Sequence, residues 1–216
     1  MTTHRQAAEL LAERDPVVAR LVDETGPPHF PRPTESHFAT LVRAITFQQL
    51  AGAAARTIHG RLVAALGDEV TPERMLGLST EELRAAGLSN NKAASVRDLA
   101  QKVLDGDVVL NPRGLARESD EGIITRLSSV RGIGRWTAEM FLMFQLRRLD
   151  VWPIGDLGVR KGFGVAWEIP MPTPKELMAF GEPYRPYRSV LAWYCWRAAE
   201  LEVAQRSGKA TAIVPL

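Results

Sequence analysis

The sequence predicts an all-α protein, and three observations carry that prediction. Apolar residues recur at the three- and four-residue spacing of amphipathic helices along most of the chain. Helix-starting pairs such as Asp15-Pro16, Thr71-Pro72 and Ser79-Thr80 punctuate those runs. Strand signals are confined to residues 108–110 and 151–152. About ten helices are expected on this pattern.

In chain order, residues 5–13 and 17–24 read as two short helices parted by Asp15-Pro16. The run Gly26-Pro27-Pro28-His29-Phe30-Pro31-Arg32-Pro33 cannot sustain a helix, because proline removes amide donors and fixes φ. A long helical segment follows over 36–66, with Phe38, Leu41, Val42, Ile45 and Gln49 in register. The small residues 51–55, with Gly52 among them, predict a break or close packing in its middle. Helices start again at Thr71-Pro72-Glu73 and Ser79-Thr80-Glu81-Glu82. Residues 89–104 place Ala93, Val96, Leu99, Ala100 and Val103 on one side. Further helices are predicted over 119–129, 134–147, 156–166, 174–180 and 185–205.

Composition bounds the function classes. The 216 residues, 45% of them hydrophobic, suffice for one full core or two smaller lobes. Net charge is +2, from 27 basic and 25 acidic side chains, so any anionic partner must be met by local clustering. The one cysteine, Cys195, rules out a disulfide framework within the chain and a four-cysteine metal site. His4, His29, His37 and His59 lack metal-ligand spacing. The first sixteen residues are charged throughout, without a signal-peptide core, and no run approaches the ~18 apolar residues of a membrane span. A cytoplasmic monomer without membrane contact is expected.

One run carries chemistry of its own: Leu127-Ser128-Ser129-Val130-Arg131-Gly132-Ile133-Gly134-Arg135-Trp136-Thr137-Ala138. A helix ends, two glycines bracket an apolar residue, and a second helix begins. Gly132 can take the positive φ that a tight turn demands, and Gly134 carries no side chain to obstruct a ligand. The amides opening the next helix are unpaired and bear the positive end of its dipole, a fit for a phosphate oxygen. Between residues 126 and 148 there are five arginines against one acid, Glu139, or +4 locally. The same run also reads as a plain helix–helix turn with solvated arginines.

Asp156 follows Gly155 and precedes an apolar helical pattern. There it serves as a helix N-cap, for which aspartate is among the best residues. That role is compatible with a functional one, since a helix N-terminus welcomes negative charge. The five tryptophans outnumber the three tyrosines. Trp136 and Met140 share a helix face, and Trp193 and Trp196 share the last helix, with Tyr187 upstream. Such spacing serves either core packing or a stacking slot.

Taken together, Phe47-Gln48-Gln49-Leu50, the run from Val130 to Ala138, Gly155-Asp156, and Tyr187-Arg188-Ser189 through Trp196 resemble the helix-hairpin-helix DNA glycosylase superfamily. Within it, the chain resembles the 3-methyladenine DNA glycosylase II family. The resemblance spans about residues 37–205, and the order and spacing of the four motifs make it specific. It implies two helical subdomains around a cleft. One is 37–148, with the wedge loop and hairpin; the other joins 1–36 to 149–216. It implies Asp156 as the catalytic carboxylate at their junction, and Trp136, Met140, Trp196, Tyr187 and Trp193 as base pocket. Met140 departs from relatives that have a tyrosine there.

Gln48, Gln49 and Leu50 are implied as the wedge that fills the hole left by an extruded base. Arg131, Gly132, Ile133, Gly134, Arg135 and Thr137 are implied to contact DNA, and Lys92, at a helix start, reads either as a contact to the DNA backbone or as a solvated lysine. No cofactor is required; a structural Na⁺ or K⁺ on the carbonyls of Ser128, Val130 and Ile133 is implied. Relatives that also cut the strand place a lysine where this chain has Trp136, and tryptophan cannot form a Schiff base. The expected activity is hydrolysis of the N-glycosidic bond of N3- or N7-methylated purines in damaged double-stranded DNA. An oxidised or deaminated lesion, or a non-catalytic DNA-binding role, is the alternative.

Overall fold

The structure is a computed structural model that describes residues 2–207. The chain divides into two compact units. One comprises the described residues of Met1–Pro31 and Leu146–Leu216, the other Arg32–Gln145. The divisions fall in the proline-rich connector and just ahead of Arg147-Arg148.

The first unit is built from α1 (His4–Arg14), α2 (Pro16–Thr25), α11 (Leu157–Ala166), α12 (Pro174–Phe180) and α13 (Arg188–Ser207). Local chemistry sets the boundaries. Thr3 and Gln6 form a capping box on α1, and Asp15 caps α2 with Pro16 at its first position. Val190, Leu191, Trp193, Tyr194 and Cys195 bury the face of α13. α11 meets it so closely that a Cβ on Gly162 would lie 1.7 Å from the Cys195 carbonyl oxygen. Arg188 and Ser189 clasp the segment before Asp156. The guanidinium of Arg188 bonds both carboxylate oxygens of Asp150, at 2.7 and 2.9 Å. Ser189 Oγ donates to the Arg148 carbonyl and accepts from the Val151 amide.

The second unit holds α3 (His37–Phe47), α4 (Gly52–Ala65), α5 (Pro72–Gly77), α6 (Thr80–Ala85), α7 (Asn90–Leu104), α8 (Pro112–Arg117), α9 (Asp120–Ser128) and α10 (Arg135–Met140). A π-turn over Phe141–Gln145 extends α10. Leu41, Ile45, Leu62, Met75, Leu83, Leu99, Ile123, Leu127 and Leu142 fill its core. Ser36, Thr71, Ser79, Ser89 and Ser119 each cap the helix that follows.

The predicted segment 36–66 breaks at residues 48–51, ahead of Gly52. The predicted helix over 134–147 stops at Gln145, where its last turn widens. Residues 108–110 and 151–152 do not form strands; no strand occurs among the described residues. α8 was not expected, although Asn111 caps it and Pro112 opens it.

Candidate active site

Asp156 is buried, at 8% exposure, as the N-cap of α11. Its Oδ1 accepts the Val159 amide at 2.8 Å and the Trp196 indole N–H at 2.9 Å. The cap and the indole therefore orient one carboxylate oxygen from two directions. Gly158 makes this possible. A Cβ there would sit 2.8 Å from Trp196 Cδ1 and 3.2 Å from Asp156 Oδ1. Sequence reasoning missed Gly158, yet a glycine in the first turn of a helix is costly and so signals close approach. Beneath lies Cys195, whose thiol pKa is pushed up by burial, with the Asp156 charge adding to the effect.

The other aromatic candidates of this unit are placed differently. Trp196 is half-buried beside the carboxylate. Trp193 is in the core, edge-on to Tyr194 and covered by the Arg197 guanidinium. Tyr187 is half-buried under Arg14. Of the three, Trp196 donates its indole N–H to Asp156.

In the second unit, α9 and α10 form the hairpin. Gly132 takes φ 78°, and a Cβ on it would meet Ser95 Oγ at 2.6 Å. Gly134 caps α10 without a side-chain bond, and a Cβ there would meet nothing within 4 Å. Ile133 and Thr137 are buried, anchoring the turn, while Gly134, Arg135 and Trp136 are exposed. Trp136 is 42% exposed, and Met140 is half-buried one turn on.

Part of the local surplus of +4 is cancelled in space. Arg135 pairs with both oxygens of Glu121, at 2.8 and 2.9 Å, and with Glu139 at 3.0 Å. Arg126 pairs with Glu118. The Arg131 amide donates to Asp98 and its guanidinium to Asn91. Glu118 and Glu121 lie outside the 126–148 window, and counting them lowers its surplus from +4 to +2, while Asp98 is itself paired with Lys102. The hairpin thus presents amides and glycine geometry beside the exposed Arg131, whose guanidinium bonds the uncharged Asn91.

Lys92, expected on a DNA backbone, is turned inward. Its Nζ donates to the Thr46 and Gln48 carbonyls at 2.8 and 2.7 Å, and burial lowers its pKa. Gln48 Nε2 donates to the Gly132 carbonyl at 2.9 Å. Gln49 and Leu50 form the exposed tip of this turn, Gln49 at φ 56°.

The carbonyls of Ser128, Val130 and Ile133 make an all-oxygen donor set. Ser128 is the last residue of α9, where helix carbonyls lack intrahelical partners. The Val130 carbonyl accepts the Ile133 amide at 3.1 Å and keeps a second lone pair. Such donors fit a hard monovalent cation better than a transition metal.

The HhH-GPD superfamily base excision DNA repair model matches residues 42–186. This chain belongs to the HhH-GPD superfamily. The matched span includes both the hairpin and Asp156. Among its HhH-GPD relatives, DNA-3-methyladenine glycosylase 1 of Schizosaccharomyces pombe is 35% identical over 167 residues, covering 76% of this chain and 73% of that protein. A crystal structure of a DNA-3-methyladenine glycosidase from Bacillus halodurans superposes with a TM-score of 0.84 at 31% identity, covering 95% of this chain and 94% of that one. The S. pombe enzyme Mag1, solved in complex with abasic DNA, superposes with a TM-score of 0.75 at 34% identity, covering 89% and 95%. No helix among the described residues is long and apolar enough to cross a membrane.

Proposed function

We propose that this HhH-GPD protein is a monofunctional DNA glycosylase that hydrolyses the N-glycosidic bond of N3- or N7-alkylated purines in base excision repair. The observation that carries the reading is Asp156. It is a buried carboxylate oriented by a helix amide and an indole N–H, in a chain whose relatives are named 3-methyladenine glycosylases.

Departure of a base leaves positive charge on the sugar, and a fixed carboxylate beside it lowers the barrier. At ~4 Å and an effective dielectric of ~20 the attraction is about 4 kcal/mol, roughly a thousandfold in rate. Asp156 can also orient the attacking water. An alkylated purine is already cationic, so it leaves as a neutral base without a strong general acid. The Trp196 face is the proposed stacking surface, where a cationic base gains a further ~0.5–2 kcal/mol from the ring.

Binding is assigned to the hairpin. The amides opening α10 bond a phosphate oxygen, and Gly134 lets the strand approach. Ser128, Val130 and Ile133 would hold a monovalent cation, which would supply positive charge to a phosphate. The 48–50 turn is the proposed wedge, with Gln49 or Leu50 at its tip. No strand cleavage is expected, because Trp136 stands where strand-cutting relatives use lysine. Lys161 is paired with Glu202 at 3.0 Å.

The test is to incubate the protein with methylated duplex DNA and identify what is freed. Free 3-methyladenine or 7-methylguanine with an unbroken abasic strand is expected. Release of oxidised bases alone, or a borohydride-trapped covalent complex, would refute the assignment.

A further inference from the structure

We propose that Lys92 is a positioning residue for base extrusion, clasping the 48–50 turn so that wedge and hairpin meet the duplex as one rigid piece. The inference rests on the glycosylase reading above for the role of that turn. Its geometry lies wholly within the second unit.

Lys92 occupies the third position of α7, behind the Ser89 cap. A cation there opposes that helix's own dipole, but it suits the C-terminal end of another. Its ammonium reaches the end of α3 and takes the Thr46 and Gln48 carbonyls, two of its three donors being spent there. The Phe47 carbonyl between them accepts the Leu50 amide at 3.3 Å. Three successive carbonyls are thus engaged, and the turn has little freedom to unwind.

Gln49 shows what the clasp resists. It is a non-glycine residue at φ 56°, a conformation that persists only where its surroundings over-determine it. Gln49 and Leu50 project from the held turn and are exposed. The side chain of Gln48 points the other way and bonds the Gly132 carbonyl in the hairpin.

The same helix, α7, secures that hairpin. Asp98 accepts the Arg131 amide at 2.7 Å, Asn91 accepts the Arg131 guanidinium at 3.0 Å, and Lys102 donates to the Ser129 carbonyl. A single helix therefore fixes both the phosphate grip and the wedge. A wedge on a loose turn would yield when pushed into a base stack; this one transmits the binding energy gained at the hairpin.

The test compares Lys92→Met and Lys92→Arg with the parent protein. The probe is a duplex carrying a tetrahydrofuran abasic analogue beside 2-aminopurine, whose fluorescence rises on unstacking. Lys92→Met should bind with an unchanged salt dependence yet unstack the probe about tenfold less, the worth of a lost charge-assisted hydrogen bond. Lys92→Arg should recover most of the signal.

Single-turnover excision is measured on one methylated strand, either paired or in an unpaired bulge. Lys92→Met should lose about tenfold more on the paired form, which alone needs a wedge. Equal losses on the two forms, or parental fluorescence, would overturn the proposal. A salt slope reduced by about 0.9 would make Lys92 a phosphate contact instead and overturn it too. If Lys92→Met proves unstable, Gln48→Met cuts the tie to Gly132 and should show the same paired-over-bulged bias. If the parent frees no base, the glycosylase reading fails, while the fluorescence result still judges Lys92.

Discussion

The surroundings of Asp156 and the hairpin solve opposite problems. Asp156 is buried, and one of the two bonds that orient it, from the Val159 amide, also begins α11, so folding that helix helps to set the carboxylate. The hairpin is exposed, and two of the nearby arginines, Arg126 and Arg135, are paired with Glu118, Glu121 and Glu139, while Arg131 bonds the uncharged Asn91. The contrast teaches that chemistry here depends on enclosure and orientation. On the proposed reading, DNA binding rests on bare backbone at Gly134 together with the arginines around it.

The largest effect expected is on the enclosed side. Gly162→Ala puts a Cβ where the Cys195 carbonyl lies, so it should cost about 3 kcal/mol or more in stability, read by thermal or denaturant unfolding. A neutral result would mean that α11 can drift without consequence.

Next comes Gly134→Asp, which sets a carboxylate against the incoming phosphate. It should weaken binding to every duplex by about tenfold and reduce the salt slope, because one fewer counterion is displaced. Gly134→Ala is the control. Its φ of −96° suits any residue and its Cβ meets nothing, so the fold should be unaffected while close approach of DNA suffers. An unchanged affinity for both variants would remove the hairpin from the DNA face.

Gly158→Ala should shift Trp196 off Asp156 and slow excision by about tenfold, with duplex affinity retained. Loss of affinity without loss of rate would place the Trp196–Asp156 contact in binding.

The smallest effect is with pH. His4, stacked on Phe30 and beside Arg147, has its pKa lowered to about 4 by burial and then by that arginine. The unfolded chain, with His4 near 6.5, binds the proton more readily, so stability should fall as pH drops from about 6.5 towards 4, by about 1–2 kcal/mol after screening. His4→Phe should flatten that slope. On the hairpin side the sign is carried by Glu121, whose pKa Arg135 holds down. Its contribution is present at neutral pH and goes only when pH falls through that lowered value.

What was legible in the sequence follows the range of each interaction. Caps are local, so Ser36, Thr71, Ser79, Ser89 and Asp156 could be read directly. The tight turn at Gly132 could be read as well, since positive φ is a property of one residue. Partners far along the chain could not. Glu121 is 14 residues from Arg135, Asp98 is 33 from Arg131, and Lys92 is 44 from Gln48. Lys92 looked like a surface cation because its real partners are carbonyls on another helix. Trp193 and Trp196 look alike in sequence; only packing separates the core ring from the one on the carboxylate.

The most direct test of the central claim is single-turnover excision of methylated purines by Asp156→Asn, which keeps the side chain's size and its capping oxygen. Excision should fall by about three orders of magnitude while damaged duplex is still bound. Excision near the parental rate would contradict the assignment of Asp156 as the group that stabilises the sugar cation.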